Sequence, residues 1–154
     1  MANPMEVDAP TLVSEMLKLL PRIYICASDL AVENDLRSDD EGWIESALTE
    51  EQYDDARRFV SELMGENDVY LEVFEEDMKY SDTPVSASIS ENLADIYQVL
   101  FDFLNTVRLG TDETVNEAIR AVKASFREYW SATLCNVLRA LNHIWAKGLL
   151  ADEN

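Results

Sequence analysis

The side chains best suited to chemistry in this chain are four carboxylates arranged in two pairs. Glu72 and Glu76 stand four residues apart in one apolar segment, and Glu91 and Asp95 stand four apart in the next. A spacing of four places both members of a pair on one face of a helix. If the two faces turned toward each other, the four carboxylates would form an oxygen-rich site for Mg²⁺ or Mn²⁺ of the kind that handles phosphates.

This arrangement loosely resembles the ExxE and ExxD pairs of all-α nucleotide pyrophosphatases. It implies a divalent-metal-dependent phosphohydrolase with the four carboxylates as ligands and Asp77 as an outer partner or base. The second pair is spaced ExxxD here, and helical wheels place both pairs opposite the apolar stripes. The alternative interpretation is an acidic face that is simply solvated.

Asp77 is the carboxylate that most needs an explanation, because it falls on the apolar face of a helix predicted over 69–80. A half-buried aspartate must be hydrogen-bonded or paired. One interpretation gives it partners in the turn over 81–90 or a tyrosine hydroxyl. The other places it in a small site with Tyr80, Asp82 and Asn92.

A stripe of three cations stands out on a chain that is otherwise acidic. Arg120, Lys123 and Arg127 share one helical face. They either neutralise the acidic helices or form a strip that binds an anion or a partner.

His143 is the single histidine, which excludes a histidine-rich di-iron site, and it falls on a polar face where we expect surface exposure. The sequence contains no glycine-rich phosphate loop, zinc-ligand spacing or basic-aromatic pattern typical of nucleic-acid binding.

Several segments carry a family resemblance. EDMKYSDTP and ISENLADIYQ, with FREYW and NVLRALNHIW further along, resemble a bacterial family of small acidic helical proteins described as a domain of unknown function. The likeness spans roughly residues 20–145. It implies a helical fold and brings no activity, cofactor or site residues with it.

The charge and composition of the chain disfavour binding to nucleic acid or to a membrane. The chain has 154 residues, 47% hydrophobic composition and a net charge of -19. Residues 1–110 hold 7 basic and 25 acidic side chains, whereas residues 111–154 hold 5 and 6. The electrostatic field of so many negative charges repels nucleic acid and anionic membranes and attracts basic proteins. The chain shows no secretory signal and no long apolar run, and Cys26 and Cys135 are typical of buried thiols in a reducing cytoplasm.

Apolar periodicity predicts an all-α, mostly antiparallel bundle of five to six helices. Asp8 or Thr11 begins a first helix that we expect to be kinked at Pro21. Thr49 and Gln52 form a capping box. The next three helices begin at Asn67 or Asp68, at a serine between 86 and 90, and at Thr111. We expect Trp43 and Ile44 to hold the loop before Thr49 against the bundle.

The last apolar stripe rotates along 112–147, so we expect a kink or break near Trp130. Residues 1–154 are predicted to form a single domain with flexible ends at 1–8 and 149–154.

The first functional interpretation is a non-catalytic, cytoplasmic, acidic module without a cofactor that binds a basic protein partner, with Tyr80 to Ser90 as a contact edge. The metal-dependent phosphohydrolase is the alternative. A third interpretation is a decoy that mimics the charge of nucleic acid for a basic partner.

Overall fold

The computed structural model describes residues 7–31, 42–71 and 86–150, and these residues are mostly helical. The helices are α1 (Ala9–Asp29), α2 (Glu50–Met64), α3 (Ile89–Leu109), α4 (Asp112–Ser125) and α5 (Ser131–Ala146). A 3₁₀ turn (Gly65–Asp68) follows α2, and two short strands, β1 (Val69–Leu71) and β2 (Ser86–Ser88), precede α3.

A π-helical segment, Phe126–Trp130, joins α4 to α5 without a break. A π turn holds one residue more than an α turn, so the apolar stripe resumes on a rotated face. The rotation in the sequence therefore comes from this insertion rather than from an interruption of the helix. Since α4 and α5 form one continuous helical segment, the described residues contain four separate helical segments. The predicted count of five to six helices is not confirmed.

The predicted helix starts are largely confirmed. The Asp8 carboxylate accepts a hydrogen bond from the Thr11 N–H at 2.9 Å. Thr49 and Gln52 form the expected capping box, and Thr111 begins α4. The Ser88 hydroxyl accepts from the N–H of the third residue of α3 at 3.1 Å. These side chains satisfy backbone donors that have no partner within the helix.

The strands correct the prediction for the middle of the chain. The sequence predicts a helix over 69–80 and no strand, but Val69–Leu71 pairs antiparallel with Ser86–Ser88, with Val69 opposite Ser88. A short apolar run of β-branched and aromatic residues suits a strand as well as a helix, and periodicity cannot separate the two. The rest of the predicted helix, 72–80, lies outside the described residues.

The core forms where α1 packs on α5, and where α3 packs on α4 and α5, with α2 lying against α3. The segment 42–48 is tied across α3 by hydrogen bonds. The N–H groups of Ala47 and Leu48 both donate to Asp102 Oδ1 at 2.8 Å, and the Glu45 N–H donates to Thr106 Oγ1 at 3.0 Å. Fully buried side chains at the centre of the core include Leu20, Ile89, Val122, Leu134, Val137 and Leu141.

Ile44 packs against the core as predicted, whereas the side chain of Trp43 is half exposed. α1 runs through Pro21 as one helix. None of the helices in the described ranges combines the length and apolarity needed to span a membrane.

Candidate functional site

An apolar groove lies between α1, α2 and α3 and encloses a volume of about 420 Å³. α1 packs mainly on α5 and α2 mainly on α3, so the two pairs leave a channel between them. Gln52 is the polar residue of this lining. The apolar lining residues include Leu12, Met16, Leu19, Ile23, Phe59, Leu93, Tyr97 and Leu100.

A second cavity of about 240 Å³ continues the groove along α1 toward α4 and the π-helical segment. The two cavities share Leu19, Ile23 and Leu100. Together they follow α1 from Leu12 to Leu30, which at 1.5 Å per helical residue is about 27 Å. The groove is therefore long enough for about five turns of another helix.

The edges of the groove expose large apolar side chains. Leu19 is 44% exposed, Phe59 41% and Tyr97 43%. Leu104, one turn beyond Leu100 on α3, is 61% exposed and lies outside the lining of both cavities. The helical wheels assign all four residues to inward faces. The wheels are correct about direction, but they cannot show that the neighbouring helix stands too far away to cover these side chains.

Asp95, one of the four predicted metal ligands, binds a tyrosine of the neighbouring helix. The Tyr53 hydroxyl donates a hydrogen bond to Asp95 Oδ1 at 2.5 Å. Burial, the hydrogen bond to Asp95 and the negative charges of Asp95 and Glu91 raise the pKa of Tyr53, although Arg57 acts in the opposite direction. Tyr53 therefore stays protonated and acts as a donor that fixes the Asp95 carboxylate.

Of the other predicted ligands, Glu91 is exposed on α3, while Glu72 and Glu76 lie outside the described residues. Within 7–31, 42–71 and 86–150, no group of three or more His, Cys, Asp or Glu side chains is arranged to hold a metal ion. The four-carboxylate site with Mg²⁺ or Mn²⁺ stays a prediction.

Asp77, Tyr80 and Asp82 also lie outside the described residues, as does much of the Tyr80 to Ser90 edge. Asn92, the remaining member of that candidate site, accepts a hydrogen bond from the Tyr70 hydroxyl. The Arg139 guanidinium lies 5.8 Å from the centre of the Tyr70 ring. Asn92 is thus part of the contact between β1 and α3.

The buried aspartate among the described residues is Asp68, which is 7% exposed. Its carboxylate accepts the Ser90 N–H at 2.7 Å and the Ser90 hydroxyl at 2.6 Å. The sequence pointed to Asp68 as a helix cap, and it does bind the first turn of a helix, but that helix is α3, 22 residues further along. The intervening strands bring the two residues together.

The three predicted cations, Arg120, Lys123 and Arg127, line one cleft beside the C-terminal end of α1. Lys123 Nζ donates to the carbonyl oxygens of Ser28 and Leu30, where the negative end of a helix dipole favours a cation. His143 is exposed on α5, as predicted.

Replacing Tyr53 with Phe should lower the free energy of unfolding at neutral pH by about 1 kcal/mol or less, since one partly exposed hydrogen bond is lost. A raised folded-state pKa means that the stabilisation is complete below the ordinary value of 10.0 and is lost as the pH rises above it. Near pH 11, folded wild type and Tyr53→Phe should therefore give equal tyrosinate absorbance, whereas in urea, where Tyr53 has its ordinary pKa of about 10, they should differ by about one tyrosinate. A difference in the folded state would show that Tyr53 ionises normally.

The chain matches one family model and is similar to a solved structure. A family model described as "Domain of unknown function (DUF5063)" matches residues 3–147. Among solved structures, the chain is similar to the crystal structure of protein BF1032 from Bacteroides fragilis, with 31% sequence identity and a TM-score of 0.71. The alignment covers 90% of this chain and 78% of that one. A search of curated proteins gives no match.

Proposed function

The chain belongs to the DUF5063 family, a domain of unknown function, and from this premise we propose that it is a non-catalytic binding module. Its apolar groove receives an amphipathic, positively charged helix from a partner protein. The observation that carries the proposal is the open apolar channel between α1, α2 and α3, whose edges are half-exposed Leu, Phe and Tyr side chains.

The shape of the groove favours a helix over a small molecule. A channel of about 27 Å along α1 matches roughly 18 helical residues. Amphipathic helices bind grooves of this kind by placing apolar side chains at i, i+3, i+4 and i+7 into the channel. Leu19, Phe59 and Tyr97 at the groove edge are exposed by 41–44%, so an occupant would remove their apolar surface from water.

Charge favours a basic partner. The three helices that wall the groove carry ten acidic and five basic side chains, and the whole chain has a net charge of -19. Asp55 and Glu62 on α2 lie one turn beyond the lining residues Gln52 and Phe59 and are exposed. Lys and Arg that flank the apolar stripe of a bound helix would meet Glu62 and compete with Arg58 for Asp55, and the net charge would steer the encounter.

Three further features belong to the same proposal. We place the chain in a bacterial cell, because the solved relative comes from Bacteroides fragilis. We place it in a reducing cytoplasm, because Cys26 and Cys135 are both free thiols, although both are exposed and the prediction that they are buried is wrong. The chain acts as one domain, since α3 contacts α2, α4 and α5, and α5 in turn contacts α1.

The test uses a fluorescein-labelled Leu/Lys peptide of about 18 residues with an apolar stripe at helical spacing, measured by fluorescence anisotropy. Leu19→Gln and Phe59→Gln should each weaken its binding about tenfold, or about 1.4 kcal/mol, because a polar side chain then lines the channel. Ile25→Gln is the matched control. Ile25 lies on α1 and is 58% exposed but does not line the groove, so its replacement should change the affinity less than twofold.

Two comparison peptides separate the groove from nonspecific charge attraction. A Leu/Lys peptide with the same composition but scrambled periodicity should bind at least tenfold more weakly, as should a Leu/Glu peptide with the original spacing. Equal binding of the scrambled peptide, or an equal loss in the Ile25 control, would contradict a docking groove. Displacement of the peptide by a fatty acid but by no unlabelled peptide would assign the groove to a lipid instead.

A further inference from the structure

A second cleft, separate from the groove, opens where the C-terminal end of α1 meets α4 and the π-helical segment. Its volume is about 990 Å³, and it shares only Leu30 with the cavities of the groove. Residues 111–154 contain five Lys and Arg side chains, and three of them, Arg120, Lys123 and Arg127, line this cleft. Positive charge is thus concentrated at one place on an acidic protein.

Within the part of the chain that the structure describes, no carboxylate forms an ion pair with these three cations. Among the described residues, the ion pairs shorter than 4.0 Å lie within α2, and none involves a cation of the cleft. Asp29 lines the cleft but makes no such pair with any of the three. Lys123 is held by two carbonyl oxygens at the end of α1, which fixes one wall of the cleft against the other.

Arg120 supplies the second observation. Its Nε is buried and has no hydrogen-bond partner among the residues that the structure describes. Arg120 as a whole is only partly buried and lines the cleft, but a buried N–H without an acceptor is rare in native proteins unless an unseen water, ion or ligand satisfies it. A guanidinium presents its donors as a rigid fork that matches the oxygen atoms of a phosphate. Arg127, exposed at the cleft, offers a second guanidinium.

The rest of the lining is suited to an organic group. Tyr24 and Phe126 meet edge to face with their ring centroids 5.0 Å apart, and both line the cleft. The hydroxyl-bearing residues Ser28 and Ser131 lie in the same lining. A volume near the upper end of ordinary ligand pockets, about 300–1,000 Å³, leaves room for more than an inorganic ion. The net charge of -19 opposes the approach of a long polyanion such as nucleic acid.

We propose that this cleft binds a small organic phosphate. The phosphate accepts hydrogen bonds from Arg120 and Arg127, and the organic part lies against the aromatic edges of Tyr24 and Phe126. Lys123 contributes its charge while holding the end of α1 in place. This inference does not depend on the groove, because the two sites have different linings.

Phenyl phosphate is the probe, and its affinity for the full chain is measured by isothermal titration calorimetry at low ionic strength. Inorganic phosphate and phenol, which represent its two halves, are measured in the same way. Phenyl phosphate should bind at least tenfold more tightly than either half. Arg120→Gln should weaken its binding tenfold or more, and Arg127→Gln several-fold. Lys147→Gln removes the same charge from a residue outside the cleft and should change the affinity less than twofold.

Arg120→Lys keeps the positive charge but removes the forked donors, so its affinity for phenyl phosphate should fall between wild type and Arg120→Gln. Equal losses in the Lys147 control and in Arg120→Gln would assign the effect to net charge and overturn the proposal. So would a failure of phenyl phosphate to bind at millimolar concentration, or binding of phenol as tight as that of phenyl phosphate. Binding of the Leu/Lys peptide should be unchanged in Arg120→Gln, which keeps this test separate from that of the groove.

Discussion

Gly42→Ala should lower the free energy of unfolding by about 3–4 kcal/mol, because the new methyl group meets both steric and conformational obstacles. Gly42 has a φ of 84°, a conformation that side-chain-bearing residues rarely adopt. A Cβ at this position would lie 2.1 Å from the carbonyl oxygen of Glu117 and 2.7 Å from the backbone nitrogen of Ala121. Both contacts are with the backbone of α4, which cannot move aside as a flexible side chain would.

The segment after Gly42 should therefore detach from the helices. Its hydrogen bonds begin with the Trp43 N–H, which donates to the Glu117 carbonyl at 3.2 Å. They continue to Asp102 and Thr106 of α3, so one methyl group would disturb several bonds at once. Amide hydrogen exchange at Glu45, Ala47 and Leu48 should become faster in the variant even where the protein remains folded.

Gly65→Ala is the matched control for Gly42→Ala. Gly65 also has a positive φ, 56°, but a Cβ there would meet no atom within 4 Å. Its replacement should therefore lower the free energy of unfolding only through backbone strain, by about 1–2 kcal/mol. Urea unfolding followed by tryptophan fluorescence measures both values. Losses of equal size would show that the close approach of Gly42 to α4 is not maintained in solution.

The predicted helices were accurate where local chemistry determines the structure. The capping residues Asp8, Thr49, Ser88 and Thr111 each accept a backbone N–H within three residues of their own positions. The sequence therefore predicted Thr49 and Thr111 directly, and it narrowed the other two caps to Asp8 or Thr11 and to a serine between 86 and 90. Asp102 shows the limit of this approach. It falls on a polar face of the predicted helix, but it accepts two N–H groups from a segment more than fifty residues earlier in the chain.

The groove escaped prediction for a related reason. A helical wheel shows that Leu19 and Phe59 point toward the inside of a bundle, but it contains no information about the distance to the next helix. The π-helical segment was visible only through its effect, the rotated apolar stripe, and several kinds of kink or break would produce the same pattern. Both features depend on how whole helices pack, which sequence periodicity does not report.

Asp68→Ala should lower the free energy of unfolding by about 2–4 kcal/mol, because it leaves the buried Ser90 N–H without an acceptor and leaves the Ser90 hydroxyl only the longer contact with the Ser88 hydroxyl at 3.3 Å. Asp68 is 7% exposed and Ser90 only 2%, so water cannot replace the lost carboxylate without opening the structure. The N–H and hydroxyl of Ser90 both donate to this carboxylate at the N-terminal end of α3, where a negative charge is also favoured by the helix dipole. The change would therefore loosen the junction between β1 and α3.

A double-mutant cycle with Ser90→Ala tests whether the two residues act as a pair. Ser90→Ala alone removes one hydroxyl and leaves the backbone bond to Asp68, so we expect a loss of about 1 kcal/mol. The double variant should be less destabilised than the sum of the single variants, by about 0.5 kcal/mol or more, because the hydroxyl that loses its acceptor in Asp68→Ala is itself absent. Strict additivity would mean that the Asp68 carboxylate stabilises α3 through its charge and the Ser90 N–H bond, independent of the Ser90 hydroxyl.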